Sequence, residues 1–161
     1  MKDADNRSAI HIACCEGHFD IVKYLLLNGA SVHEKDRHGV TPLDEAITAD
    51  DHDIIKLLIS TGAHLTKDST LLGDLLTSAA GRGLIKRLES FTLAGADLNL
   101  PNSIGMTALH AALLNSQNEV VQYLISNKNV NVNVKDRLGR TAMDLAVQML
   151  NKGAIAVLKN R

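Results

Sequence analysis

The hydrophobic positions of this chain fall into short stripes that return at a fixed interval. Ile21, Val22, Leu25 and Leu26 are spaced to share one helix face, and Ile54, Ile55, Leu57 and Leu58 repeat the stripe 33 residues later. Val120, Val121 and Leu124 form it again. Ahead of each stripe lies a shorter segment with a small residue at a matching place: Ala13, Ala46, Ala79, Ala112 and Ala146. The pattern predicts two helices per period, the first with a thin face that lets its neighbours approach closely. Polar punctuation keeps the same phase. Gly29, Gly62 and Gly95, each followed by alanine, stand where a helix must stop in a left-handed turn. Ser8-Ala-Ile-His11, Thr41-Pro-Leu-Asp44 and Thr107-Ala-Leu-His110 open the first helices, and Thr141-Ala-Met-Asp144 follows 34 residues after the last of these. Thr41 is placed to cap a helix whose first residue is Pro42, with Asp44 returning the bond as in a capping box. Self-similarity at this period implies a solenoid, whose repeats bury their apolar faces only against one another.

Aligned on the glycines, the chain reads as one domain over 1–161 made of five units: about 3–35, 36–67, a degenerate 68–100, 101–135 and a truncated 136–161. The phrases Asp36-Arg-His-Gly39-Val-Thr41-Pro-Leu43 and Gly105-Met-Thr107-Ala-Leu-His110-Ala-Ala112 resemble ankyrin repeats, as do Gly17-His18 and Gly29-Ala-Ser-Val32. The resemblance covers nearly the whole chain. It implies an all-α ankyrin-repeat solenoid, helix-turn-helix units joined by hairpin loops, of about five repeats. Unit three departs from the pattern, lacking the threonine and the proline. Its helix is expected to be capped by Asp74, with Asp68–Leu72 as an irregular link. Unit four has an extra residue around Lys128–Val130 and no Gly-Ala stop. Unit five ends within its second helix. Neither end looks like a dedicated polar cap, so the chain is expected to be a segment of a longer protein.

Charge and composition narrow the function more than they define it. The net charge of −1 gives no support for nucleic-acid binding. It is unevenly spread: residues 1–80 carry 7 Lys/Arg against 13 Asp/Glu, and residues 81–161 carry 10 against 5. An acidic end and a basic end can orient a partner. No apolar run approaches the roughly 18 residues needed to span a membrane, and no signal-peptide pattern precedes the first unit. Cys14 and Cys15 are adjacent and point in different directions on a helix, which favours a reducing setting: cytoplasmic, with the nucleus an alternative.

Two clusters invite a chemical reading. His11, Cys14, Cys15 and His18 have helical metal-ligand spacing. They read better as local hydrogen bonding by histidines and packing by Cys14, since ankyrin repeats ordinarily carry histidine at both places. Asp44-Glu45 and Asp50-Asp51 suggest paired carboxylates, but Asp44 is accounted for by capping and no second group converges on the others. No catalytic residue, metal or cofactor is expected, and the chain by itself reads as non-enzymatic.

The working surface is expected to be the concave one. In the resembling family, partners contact the hairpin tips and the exposed side of each first helix. Here the tips are Arg37, His38 and Val40; Ser103, Ile104 and Met106; and Arg137, Leu138 and Arg140. The first helices add Glu45, Arg82, Leu114, Asn115, Leu145 and Met149. Ile104, Met106, Leu114, Leu138 and Met149 are more apolar than solvation requires and are expected to form a protein-binding patch bordered by Arg82, Arg137 and Arg140. The partner is a protein or a neighbouring domain of the same chain, with self-association a further alternative. A narrower likeness sits in Lys35-Asp-Arg-His-Gly-Val-Thr-Pro-Leu-Asp-Glu-Ala46 and in Leu72–Ala80 with Ala94–Asn99. These stretches are similar to the C-terminal ankyrin segment of type I asparaginases. Val134–Arg137 and Thr141–Asp144 are similar to the ankyrin tail of animal glutaminases, and plant potassium channels are similar in the same places. The likeness implies an alternative role as a regulatory or oligomerising appendage of an amidohydrolase. None of those enzymes' catalytic sequence is present here, so no catalytic residue carries over.

Overall fold

The structure, a computed structural model, describes residues 3–161. The described residues form ten helices and no strands. In chain order they are α1 (Ala9–Cys15), α2 (Phe19–Leu27), α3 (Pro42–Thr48), α4 (His52–Ser60), α5 (Ser69–Gly81), α6 (Ile85–Leu93), α7 (Ala108–Leu114), α8 (Asn118–Ser126), α9 (Ala142–Gln148) and α10 (Lys152–Lys159). Each repeat contributes two. The chain divides into two compact units, one of residues 1–66 and 89–96, the other of 67–88 and 97–161. In the first, α1 packs on α3 and α2 on α4. In the second, α5 packs on α7, α7 on α9, and α8 on α10.

Local chemistry explains where the helices begin and end. Capping boxes close the starts of α1, α3, α7 and α9 on Ser8, Thr41, Thr107 and Thr141, and Pro42 sits in the first turn of α3. Between the two helices of every repeat one residue is left-handed: Gly17, Asp50, Gly83, Ser116 and Leu150. The amide after it bonds back to the periodic alanine, as in His18 N to Ala13 O at 2.9 Å, Gln117 N to Ala112 O at 2.9 Å and Asn151 N to Ala146 O at 2.9 Å. This is the Schellman closure, and it satisfies a carbonyl that the helix end would leave bare. The second helices of repeats one to three end the same way on Gly29, Gly62 and Gly95, as their positions predicted.

The third repeat corrects the sequence reading. Residues 69–72 are helical and not an irregular link, because Asp68 caps α5 by accepting from Leu71 N at 2.9 Å. That helix runs 13 residues against 7 in the other first helices. Asp74 lies inside it and turns instead to the loop of the fourth repeat, where its Oδ1 accepts from Ser103 N at 2.9 Å and Ser103 Oγ at 3.0 Å. Beside it Gly73 leaves room for the backbone of that loop: a Cβ there would stand 2.1 Å from the carbonyl oxygen of Pro101. Backbone cannot yield as a flexible side chain does. Gly73→Ala should therefore destabilise the protein by about 1–3 kcal/mol through overpacking. Gly153→Ala, with only Asn151 Oδ1 nearby at 3.6 Å, should gain up to about 1 kcal/mol from helix propensity. Urea denaturation midpoints moving in opposite directions would be the check.

Candidate functional site

Outside the third repeat, each tip is built on one acidic or amide side chain. Asp36 Oδ1 accepts from His38 N at 2.8 Å and Val40 N at 2.9 Å. Asp136 Oδ1 accepts from Leu138 N and Arg140 N, both at 2.9 Å. Asn102 Oδ1 takes the same place in the fourth repeat, accepting from Ile104 N at 3.1 Å and Met106 N at 2.8 Å. The turn then passes through a left-handed glycine, Gly39, Gly105 or Gly139. Two carboxylates in these tips are held below the usual range. At Asp36 and at Asp136 burial pushes the carboxyl up, but the backbone amides outweigh it, and at Asp136 the Arg140 guanidinium adds to them.

Buried histidines fasten the tips of the second and fifth repeats to the repeat before them. His11 Nδ1 lies 2.8 Å from Ser8 Oγ and its Nε2 3.0 Å from the Val40 carbonyl oxygen, one repeat on. His110 does the same with Thr107 Oγ1 at 2.8 Å and Arg140 O at 3.1 Å. Nδ1 also accepts from the backbone amide of Ser8 or Thr107. A ring that accepts at Nδ1 and meets a carbonyl at Nε2 carries its proton on Nε2. His11 is thus fully occupied in holding the fold. Cys14 beside it is buried, and desolvation pushes its thiol up to about 12, so it packs as an apolar residue. Cys15 is exposed and its thiol is also raised, chiefly by desolvation.

The carboxylates flagged in the sequence have structural partners. Asp44 Oδ2 accepts from Thr41 N and Thr41 Oγ1 at 2.9 Å. Asp51 caps α4 through Ile54 N at 3.0 Å, and Asp50 accepts from Ser90 Oγ at 3.4 Å.

All eight residues expected to form the binding patch lie in the second compact unit. Ile104 and Leu138 hold equivalent places at the tips of the fourth and fifth repeats, and both are exposed. The same place is Asp5 in the first repeat and His38 in the second. Met106 and Arg140 follow at the next equivalent place and are half-buried. Arg82 and Met149 are the C-caps that follow α5 and α9, and both are exposed, while Leu114 is half-buried at the end of α7. Leu145 departs from expectation. It is fully buried on α9, which packs on α7 and α10.

The arginines are more engaged than a free rim would require. Arg137 donates through Nη2 to the carbonyl of Ser103 and its side chain lies over Gly105, which joins the fourth and fifth tips. Arg37 is its counterpart in the second repeat: its amide donates to Asp5 O at 3.0 Å and its guanidinium meets Asp5 Oδ1 at 2.6 Å. Arg140 pairs with Asp136 Oδ2 at 2.7 Å and reaches Gln148 Oε1 at 3.3 Å. These links are set by the meeting of adjacent loops, and no local sequence signal announces them.

A family model described as ankyrin repeats in three copies matches residues 1–69 and 76–160. The chain belongs to the ankyrin-repeat family. Ankyrin repeats mediate protein–protein interaction and are as a rule not enzymes. Among curated proteins the chain is similar to an L-asparaginase of Dirofilaria immitis, 37% identical over 125 residues, which is 78% of this chain and 21% of that protein. It is similar to a potassium channel of Arabidopsis thaliana, 29% identical over 127 residues, 79% of this chain and 16% of that one. It is also similar to the mitochondrial liver isoform of glutaminase from Mus musculus, 39% identical over 93 residues, 56% of this chain and 14% of that protein. The likeness to asparaginase and glutaminase segments read from the sequence is therefore present. The chain spans only about a fifth or less of the length of these relatives. Among the described residues no helix is long and apolar enough to cross a membrane.

The depressed carboxyls give the ankyrin tips an acid sensitivity with a definite sign. A folded-state value below the unfolded one means that Asp136 stabilises the fold above about pH 4 and loses that contribution as pH falls through its folded value. Asp136→Asn places the amide already used at Asn102 and removes one titrating group. The difference in stability between pH 7 and pH 3 should shrink in the variant, measured by urea unfolding. A variant with an unchanged acid limb would contradict this role.

Proposed function

We propose that this chain is a non-catalytic interaction module. It binds a protein partner, or a neighbouring domain of its own polypeptide, through the tips and first helices of the fourth and fifth repeats. The observation that supports this is the change of chemistry at one repeated position. Asp5 and His38 hold it in the first two repeats, and exposed Ile104 and Leu138 hold it in the fourth and fifth. The position contributes little to the core in any repeat, so apolar side chains there serve something other than folding. Ile104 and Leu138 are the anchors, with Met106, Leu114 and Met149 extending the apolar area. Arg82 adds a cation, while Arg137 and Arg140 fix the tips on which the anchors sit. Affinity rests on the few anchors and charge sets orientation and rate. Ile104→Glu combined with Leu138→Glu should abolish partner capture while leaving the helical circular dichroism unchanged, because neither side chain is buried. Binding that survives the double substitution would move the site elsewhere.

A second reading is that these repeats are a regulatory or oligomerising appendage of an amidohydrolase. The likeness to an asparaginase and a glutaminase, of which the chain covers a small part, favours it. The intact mass of the endogenous polypeptide decides between the two. A mass well above 17.3 kDa, with amidohydrolase activity that changes when the repeats are removed, supports the appendage. A mass near that value supports a free-standing adaptor.

A further inference from the structure

The loops after the second helices of the first and third repeats use one position, four residues past the glycine stop, to reach the next repeat. In the third repeat it is Asn99, which donates through its side chain to Asn129 O at 2.8 Å and accepts from Asn131 N at 2.6 Å. In the first repeat it is His33. Its ring meets a second ring, His64 of the next repeat, with centroids 5.0 Å apart and planes tilted by 53°. Both histidines are exposed, and both belong to the same compact unit.

The backbone beneath each ring is held in place. Val32 is buried, and Ser31 Oγ accepts from His33 N at 3.2 Å. Across the junction Gly62 is left-handed, and buried Ala63 bonds back through its amide to Leu58 O at 2.9 Å. The rings themselves can turn, because χ2 of histidine is a broad torsion. His64 Nδ1 lies 3.4 Å from the Gly62 carbonyl oxygen. A carbonyl only accepts, so this contact suits a proton on Nδ1 and leaves the lone pair on Nε2. Metal-bound histidines are oriented in this way, one nitrogen donating to a carbonyl while the other ligates.

The ring separation is that of a shared ion. Two imidazoles whose nitrogens bind one ion at about 2.0–2.1 Å, near the tetrahedral angle, have centroids about 5 Å apart. We propose that His33 and His64 form a two-histidine site for a late first-row divalent metal ion, with water filling the other coordination positions. The donors select that class. Imidazole suits Ni²⁺, Cu²⁺ and Zn²⁺, whereas Ca²⁺ and Mg²⁺ require oxygen. Among the described residues no third histidine, cysteine or carboxylate completes a group able to hold a metal. The site is therefore open and exchangeable, unlike a closed structural zinc site. Its surroundings favour a cation: residues 1–66 and 89–96 carry 6 Lys/Arg against 12 Asp/Glu. The pair is separate from His11, Cys14, Cys15 and His18, of which His11 and Cys14 serve the fold.

Calorimetric titration of the whole chain with NiCl₂ tests this, since Ni²⁺ leaves the thiols of Cys14 and Cys15 unoxidised. One ion should bind per chain. His33→Ala and His64→Ala should each weaken binding by about tenfold or more, and the double variant should be no weaker than either single one, because both remove the same chelate. His18→Ala should bind like the unsubstituted chain. Helical circular dichroism should be unchanged throughout, since all three rings are exposed. In the unsubstituted chain, paramagnetic Ni²⁺ should broaden the ring-proton resonances of His33 and His64 before those of the other histidines. Single variants that each keep half the stoichiometry would mean two independent histidines and overturn the proposal. Binding unchanged in both, broadening that begins at another histidine, or no binding at all overturns it too, and leaves the two rings as a packing contact. None of these outcomes bears on Ile104 or Leu138, so the binding patch stands or falls separately.

Discussion

No helix pair of this protein can bury its own apolar face, and every other feature follows from that constraint. Two helices of about two turns expose one side of a stripe such as Ile54, Ile55 and Leu58 until a neighbouring pair covers it. Once covered, each of those side chains contributes on the order of 1.5–3 kcal/mol. Stability is therefore made at the junctions between repeats. The periodic alanines serve the same end: Ala46, Ala112 and Ala146 are fully buried and thin the first helix so that the next can approach.

Apolar burial is non-directional and would tolerate some sliding between repeats. Polar links remove that freedom. His11 and His110 each reach from inside one repeat to a carbonyl in the next loop, and Arg37 and Arg137 reach back from that loop to the preceding one. Asp74 makes a third kind of link, from the middle of α5 to Ser103. The result is a set of loops whose backbones are over-determined while their outward side chains are free to vary. Asp5, His38, Ile104 and Leu138 share one backbone environment but range from acidic through imidazole to aliphatic. A recognition surface can change in such a molecule without disturbing the junctions beneath it.

Much of this was legible in the chain because the period is strict. The caps at Thr41 and Thr141, the stops at Gly29, Gly62 and Gly95 and, outside the third repeat, the alternation of short and long helices all follow from phase. Legibility failed where a residue's role depends on something distant. Asp74 looked like a cap because it stands in the right phase before an apolar segment. Asp68 took that role, and Asp74 was left for a partner 29 residues away. Leu145 was expected on the exposed side of its first helix, yet it is fully buried. The tip positions were readable as tips. The engagement of Arg137 and Arg140 was not, since spacing carries no information on which carbonyl or carboxylate a long side chain will find.

The turn between the two helices of each repeat has one more implication. Its left-handed residue is glycine in only two of five cases, and Asp50, Ser116 and Leu150 adopt the same backbone at φ near 54°, 54° and 52°. A side chain there costs on the order of 1–2 kcal/mol relative to glycine. The junctions impose the turn on three residues that have a side chain, an acid, a hydroxyl and an aliphatic one. Such positions are a record of tolerance: they let an ankyrin chain drift through sequences that violate its own consensus while its geometry stays fixed. They also hold unused stability, which a lineage or an engineer can recover one glycine at a time.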